Sequence, residues 1–308
     1  MTSVIIPCYN SEKYLPILLD ALAKQEGVLD DAEYIFVDNG STDGSLSILR
    51  SQTSKLQNSR VLVYTSMQSS YAARNHGATH ATGDAFAFTD ADCVPEPDWL
   101  AQANKIAQAH DGPFLSTGMV ELFPKSKRYN PYEWYDKSTA MRQEHYSATQ
   151  TGATANLLVS RSAFDMVGGF RPIESGGDRD FCTRVMQTGC VAYSYHETLK
   201  VRHPARGSKA EIRKKARRIN RGLASLHVLG QPQARRWAYV VKQVLALVLM
   251  PNQWRIALST FASKQPHPSP WVFLLVALRE GAFARYNLIR ASLRAMKTSA
   301  NHDCSQNR

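Results

Sequence analysis

The stretch FAFTDADC places Asp90 and Asp92 two residues apart at the end of an apolar run. In extended backbone, side chains at i and i+2 point to the same side, so the two carboxylates face one point and repel each other there. A hard divalent cation with oxygen ligands would relieve that repulsion and keep positions open for water or phosphate. Alternatively they are loop aspartates, one of them capping the helix that starts near EPDW. Asp38 closes YIFVD, where a carboxylate can accept hydrogen bonds from a base or a ribose, while Asp43 reads as a helix cap. Arg74, in AARNHGATHATGD, suits a phosphate or an acidic strand end. Asp178 follows two glycines in ESGGDRDF and could take a proton from a hydroxyl nucleophile, or serve only as a favourable charge at a helix start. His203, in VRHPARGS, follows the last strand.

Positioning these residues requires a sheet. Up to about residue 200, apolar strand-like runs (SVIIP, YIFVD, RVLVYT, AFAFTDAD) alternate with segments of helical spacing. That alternation predicts an α/β fold whose mostly parallel sheet is covered by helices on both faces. Ligands of such sheets sit outside the carboxyl ends of the strands. Pro7-Cys8-Tyr9-Asn10, Asp38 and Asp90/Asp92 all lie at such ends. Residues 123–150 read as an aromatic, irregular loop. Residues 156–203 return to regular structure, ending in two strands, VAYSY and TLKVRH.

Six stretches together, SVIIPCYN, IFVDNGSTDGS, ARNHGATHATGD, FAFTDADC, ANLLVSRSAFDMVGGF and GGDRDFCTRVMQTG, resemble the family 2 glycosyltransferases of GT-A fold over residues 3 to about 203. The resemblance implies metal-dependent, inverting transfer of a sugar from a nucleotide-diphosphate sugar to a hydroxyl acceptor. By the same resemblance Pro7, Tyr9, Asp38, Arg74 and Asp90 would bind the nucleotide sugar. Asp90 and Asp92 would hold Mg2+ or Mn2+, with Asp92 the more direct ligand and His203 completing the site. Asp178 would be the catalytic base. The chain departs from the family at Gly177, where a glutamate usually precedes the base. A catalytically impaired nucleotide-sugar binder is therefore an alternative. A sugar nucleotidyltransferase ranks lower, because CYNSEKYL stands where a Gly-rich, basic loop would be expected.

The charge divides the chain. Residues 1–200 carry 17 Lys/Arg against 23 Asp/Glu, a balance of −6, and residues 201–308 carry 20 against 3, a balance of +17. This predicts a catalytic domain over 1–205 and a basic, mainly helical extension over 206–308. Within the extension, WAYVVKQVLALVLM and PWVFLLVAL are too short for clear membrane spans, which need ~18 apolar residues. A cationic helix beside Trp-flanked apolar runs suits the anionic cytoplasmic face of a membrane. The sequence thus predicts a cytoplasmic, peripherally membrane-bound enzyme without a signal peptide. Its acceptor would be a lipid-linked or cell-surface saccharide, received near Tyr132, Trp134 and Tyr135. Nucleic acid is not expected as a partner, since apolar runs interrupt the basic charge. The five cysteines are scattered and odd in number, which predicts free thiols.

Overall fold

A computed structural model of the chain describes residues 1–27, 32–228, 232–249 and 270–306. The chain forms two compact units. The first comprises Met1–Leu122, Met141–Ile173 and Gly177–Pro204; the second comprises Phe123–Ala140, Glu174–Gly176 and Ala205–Arg308.

The first unit is built on an eight-stranded sheet. Its strands are β1 (Thr2–Cys8), β2 (Ala32–Asp38), β3 (Ser59–Val63), β4 (Ala85–Thr89), β5 (Val94–Pro95), β6 (Phe114–Phe123), β7 (Asn156–Ser160) and β8 (Ala192–Pro204), in the order β3-β2-β1-β4-β7-β6-β8-β5. The strands β3-β2-β1-β4 pair in parallel; β7 adds antiparallel to β4 and to β6, and β5 antiparallel to β8. The buried runs of β1, β2 and β4 explain the parallel half: strands covered on both faces must be apolar throughout. The two strands expected after residue 190 are a single strand, β8, because the intervening His196-Glu197 carries no turn chemistry to separate them.

The helices α1 (Leu15–Ala23), α2 (Ser45–Gln52), α3 (Ser70–His80) and α4 (Trp99–Gln108) follow the first strands. Ser69 caps α3, its side chain accepting from the Ala72 N–H. Helix α3 lies close on the sheet at Gly77, where an added Cβ would stand 2.6 Å from Ile5 Cγ2. No larger residue fits that approach.

Residues 123–150 are more regular than their sequence suggests. They contain α5 (Pro131–Thr139) and α6 (Gln143–Ser147). Asn130 accepts from the backbone N–H groups of Tyr132 and Glu133, while the Glu133 carboxylate accepts from the Asn130 N–H, completing a capping box at α5. Trp134 is only 5% exposed and packs with Phe273 and Ala277 in the core of the second unit, so it is a core residue and does not line an open acceptor mouth. After α7 (Arg161–Met166) and α8 (Gly177–Gln187), the second unit continues with α9 (Lys209–Val228), α10 (Gln233–Leu249) and α11 (Pro270–Gln306). Among the described residues, no helix is long and apolar enough to cross a membrane. Cys8, Cys93, Cys182 and Cys190 are free thiols; Cys304 lies where no side chain is described.

Candidate active site

The carboxyl ends of β2, β1 and β4 are neighbours in the sheet, which brings Asp38, Pro7 and Asp90 to one edge. Asp38 is buried. Its Oδ2 accepts from the Gly40 and Ser41 N–H groups at 3.2 Å each, and its Oδ1 has no partner among the described residues. A buried carboxylate oxygen with one side unsatisfied is suited to a donor from a ligand. Pro7 is partly buried opposite Val37, and Tyr9 beyond it is exposed. Asn10, held at positive φ, accepts from the Thr42 N–H at 2.8 Å and so ties the loop after β1 to the loop after β2. Asn39 does the same for the next loop: its amide donates to Tyr64 O and Met67 O and accepts from Ser69 N–H. Asn10 was named from the sequence only as part of the polar cluster after β1, and Asn39 was not singled out, since it looks like ordinary turn composition.

The second cluster surrounds Asp90 and Asp92. Arg74 is buried and pairs with Asp90 Oδ1, and its Nε has no hydrogen-bond partner among the described residues. Carboxylate oxygens of Asp90 and Asp92 and the Cys93 thiol lie within 4.8 Å of one another. Burial pushes the Cys93 thiol well above its ordinary range, and the nearby Asp90 and Asp92 charges raise it further, so the sulfur stays protonated. The hard oxygens of the two aspartates are the usable donors.

His203 is buried. Its Nδ1 lies 2.8 Å from Pro204 O; a carbonyl only accepts, so the hydrogen is on Nδ1. Nε2 then faces Asp92 Oδ2 at 3.3 Å. Two electron-pair donors facing each other need a proton or a cation between them, and with Asp90 alongside, this donor set fits Mg2+ or Mn2+.

Asp178, half-buried in the first turn of α8, accepts at Oδ1 from the Tyr71 hydroxyl at 3.3 Å and from the Arg179 N–H at 2.9 Å. Burial pushes its carboxyl above the usual range. The Arg179 hydrogen bond, the Arg74 charge and the Tyr71 hydrogen bond pull it back, and Asp90 adds to the rise. Asp178, Arg74 and Asp90 therefore share one electrostatic environment. Tyr146, whose hydroxyl is raised by burial and then by Asp178, faces the same charge. Gly177 has a physical cause: an added Cβ would lie 2.8 Å from Cδ2 and Cε2 of the Tyr71 ring. Tyr71 and Tyr146 escape sequence reading, since nothing local marks them as partners of Asp178.

An α/β sheet whose strand ends gather a carboxylate pair, a buried arginine and a carboxylate of raised affinity for protons defines a nucleotide-handling enzyme of GT-A type. The model of the family Glycosyl transferase family 2 matches residues 3–168. The chain is 33% identical over 267 residues to glycosyltransferase AglE of Haloferax volcanii, covering 86% of this chain and 82% of that protein. In fold it is similar to mannosyltransferase PcManGT from Pyrobaculum calidifontis, solved in complex with GDP-Man and Mn2+. The TM-score is 0.61 at 20% identity, across 96% of this chain and 86% of that one. It is also similar to Staphylococcus aureus TarS 1–349 in complex with UDP-GlcNAc, with a TM-score of 0.51 at 18% identity, across 98% and 92%. The chain belongs to glycosyl transferase family 2 and is a glycosyltransferase. Asp178 and His203 lie beyond the residues that the family model matches.

Proposed function

We propose that the chain moves a sugar, with inversion, from a nucleotide-diphosphate sugar to a hydroxyl of a lipid-linked or cell-surface saccharide, in a metal-dependent reaction. The observation carrying this is the cluster of Asp90, Asp92 and His203 beside Arg74, with Asp178 in the same field. The nucleotide base or ribose meets Asp38, whose buried Oδ1 supplies the open acceptor, with Pro7 and Tyr9 beside it. Arg74 stands beside the diphosphate and holds Asp90 in place. Asp90, Asp92 and His203 would hold Mg2+ or Mn2+, which when bound neutralises charge on the diphosphate.

Asp178 takes the proton of the acceptor hydroxyl. The acceptor oxygen attacks the anomeric carbon, and the bond from that carbon to the diphosphate oxygen breaks, its electron pair leaving with the nucleoside diphosphate. The raised proton affinity of Asp178 suits a general base better than an ordinary carboxylate would. Related folds solved with GDP-Man and with UDP-GlcNAc support a nucleotide-sugar donor.

Turnover across a panel of nucleotide sugars with Mg2+ or Mn2+ tests this directly. Asp178→Asn should lower transfer by about 10²- to 10⁴-fold while nucleotide binding persists. Asp92→Asn should remove the metal dependence together with the activity. Nucleotide binding without turnover by the unaltered chain would identify a binder instead of an enzyme.

A further inference from the structure

His76 and His80 stand four residues apart at the end of α3, so they share one face of that helix. At about 3.6 residues per turn, that face lies about 200–240° round the axis from Arg74, away from the carboxylate cluster. Histidines at i and i+4 have the spacing by which a helix presents paired imidazoles to a zinc ion. Here the ring centres are 4.6 Å apart, with the planes at 60°. Two nitrogens bound at about 2.0–2.1 Å to a tetrahedral ion lie about 3.3 Å from each other, a separation that rings this close reach by side-chain rotation alone.

Both rings are held. His80 Nδ1 lies 2.9 Å from the His76 carbonyl oxygen, which only accepts, so the hydrogen is on Nδ1 and Nε2 carries the lone pair. Thr79 Oγ1, which donates to the same carbonyl at 2.8 Å, sits 3.2 Å from that nitrogen. Metal-ligating histidines are commonly fixed in this way, through a carbonyl bound to the other ring nitrogen. His76 stacks on Tyr64, with centres 4.8 Å apart and planes at 28°. Tyr64 is itself tied down: its N–H donates to Asp38 O at 2.8 Å and its carbonyl accepts from Asn39 at 2.7 Å. His80 is exposed and His76 half-buried, so an ion reaches them from solvent. The last turn of a helix also favours a positive charge, because its carbonyl groups point outward there. A nearby cation, Arg60, donates through Nη1 to the His80 carbonyl at 3.3 Å, and the buried Glu33 offsets its charge at 3.7 Å.

We propose that His76 and His80 form a site for a borderline transition-metal ion such as Zn2+ or Ni2+, with water completing the coordination. Imidazole suits these ions, whereas the oxygen donors of Asp90 and Asp92 suit Mg2+ or Mn2+. The ion closes the last turn of the helix that also carries Tyr71 and Arg74, and its binding does not depend on sugar transfer.

The test is calorimetric titration of Zn2+ into the full chain with Mg2+ in excess. Losing a ligand should cost at least as much as losing an outer-shell partner, so His80→Ala and His76→Gln should each weaken Zn2+ binding by about tenfold or more. Zn2+ should also raise the Tm of the unaltered chain more than that of either variant. A variant that melts with the unaltered chain when no metal is present has kept its fold. Asp92→Asn and Cys190→Ser should leave this binding event in place, which separates it from the acidic cluster and from the exposed thiol. Equal Zn2+ affinity in the unaltered chain and in His80→Ala would overturn the proposal. So would binding that is lost in Asp92→Asn or Cys190→Ser but kept in His80→Ala.

Discussion

Removing the Tyr71 hydroxyl takes away a donor that favours the ionised form of Asp178. In Tyr71→Phe the Asp178 carboxyl should therefore rise further above its usual range, and the acid limb of the rate profile should move to higher pH. The check is kcat against pH, with nucleotide affinity unchanged; a profile that does not move would leave Tyr71 as packing only. Gly177→Glu, which brings back the residue usual in the family, should not help, because the Tyr71 ring occupies the space its Cβ needs. It should cost about 1–3 kcal/mol of stability by overpacking, and Tyr71→Ala should relieve that cost in the double variant. Asp38, Asp90, Asp92 and Asp178 stood out in the sequence because each is a charged residue at a strand end or helix start, and Arg74 because a cation inside α3 suits a phosphate or an acidic strand end. The Tyr71–Asp178 pair was not, since its members lie 107 positions apart and an aromatic in an apolar helix looks like core. His203 stood between: its place after the last strand was visible, but its contact with Asp92 depends on how β8 runs in the sheet.

Asp136 on α5 shows what holds the second unit's elements to one another. It is 2% exposed and accepts from the Arg206 N–H and guanidinium at 3.1 Å and from Lys215 Nζ at 3.2 Å. Burial alone would raise its carboxyl; the Lys215 and Arg206 charges overcome that and hold it below the usual range. A carboxylate depressed in the folded state contributes stability above its unfolded range, and that contribution disappears as pH falls through the lowered value. Asp136→Asn should cost about 3–5 kcal/mol near neutral pH, because two cations lose their counter-charge in a buried site. The deficit should shrink in acid, and denaturant unfolding at several pH values measures both effects. Helix α5 was missed in the sequence although its start signal was present: Asn130, Pro131 and Glu133 form a capping box with proline in the first turn. The aromatic residues after it hid the helical period, since Trp134 faces the core while Tyr132 and Tyr135 are only partly covered. The parallel strands were easier to see, because burial on both faces makes them continuous apolar runs.

At the scale of the whole molecule, a body of charge −6 is joined to an extension of charge +17, and the extension also exposes apolar side chains. On α10, Trp237, Val241, Val244 and Leu245 are exposed at spacings of four, seven and eight residues, which places them on one helical face. Charge and apolar surface contribute differently to membrane binding. Attraction between basic side chains and an anionic surface is screened over about 10 Å at 0.1 M salt and about 3 Å at 1 M. Burial of a Trp or Leu side chain contributes about 1.5–3 kcal/mol and is insensitive to salt. The full chain should therefore bind phosphatidylglycerol vesicles strongly at low salt, lose most but not all of that binding at 0.5 M, and bind neutral vesicles weakly. Trp237→Ala with Leu245→Ala should abolish the salt-resistant remainder and weaken low-salt binding by at least about tenfold, each side chain supplying more than one decade's worth of free energy. Vesicle sedimentation across a salt series separates the two contributions. If the chain stays in the supernatant even at low salt, the positive charge serves something other than a membrane, and the acceptor must reach the enzyme from solution.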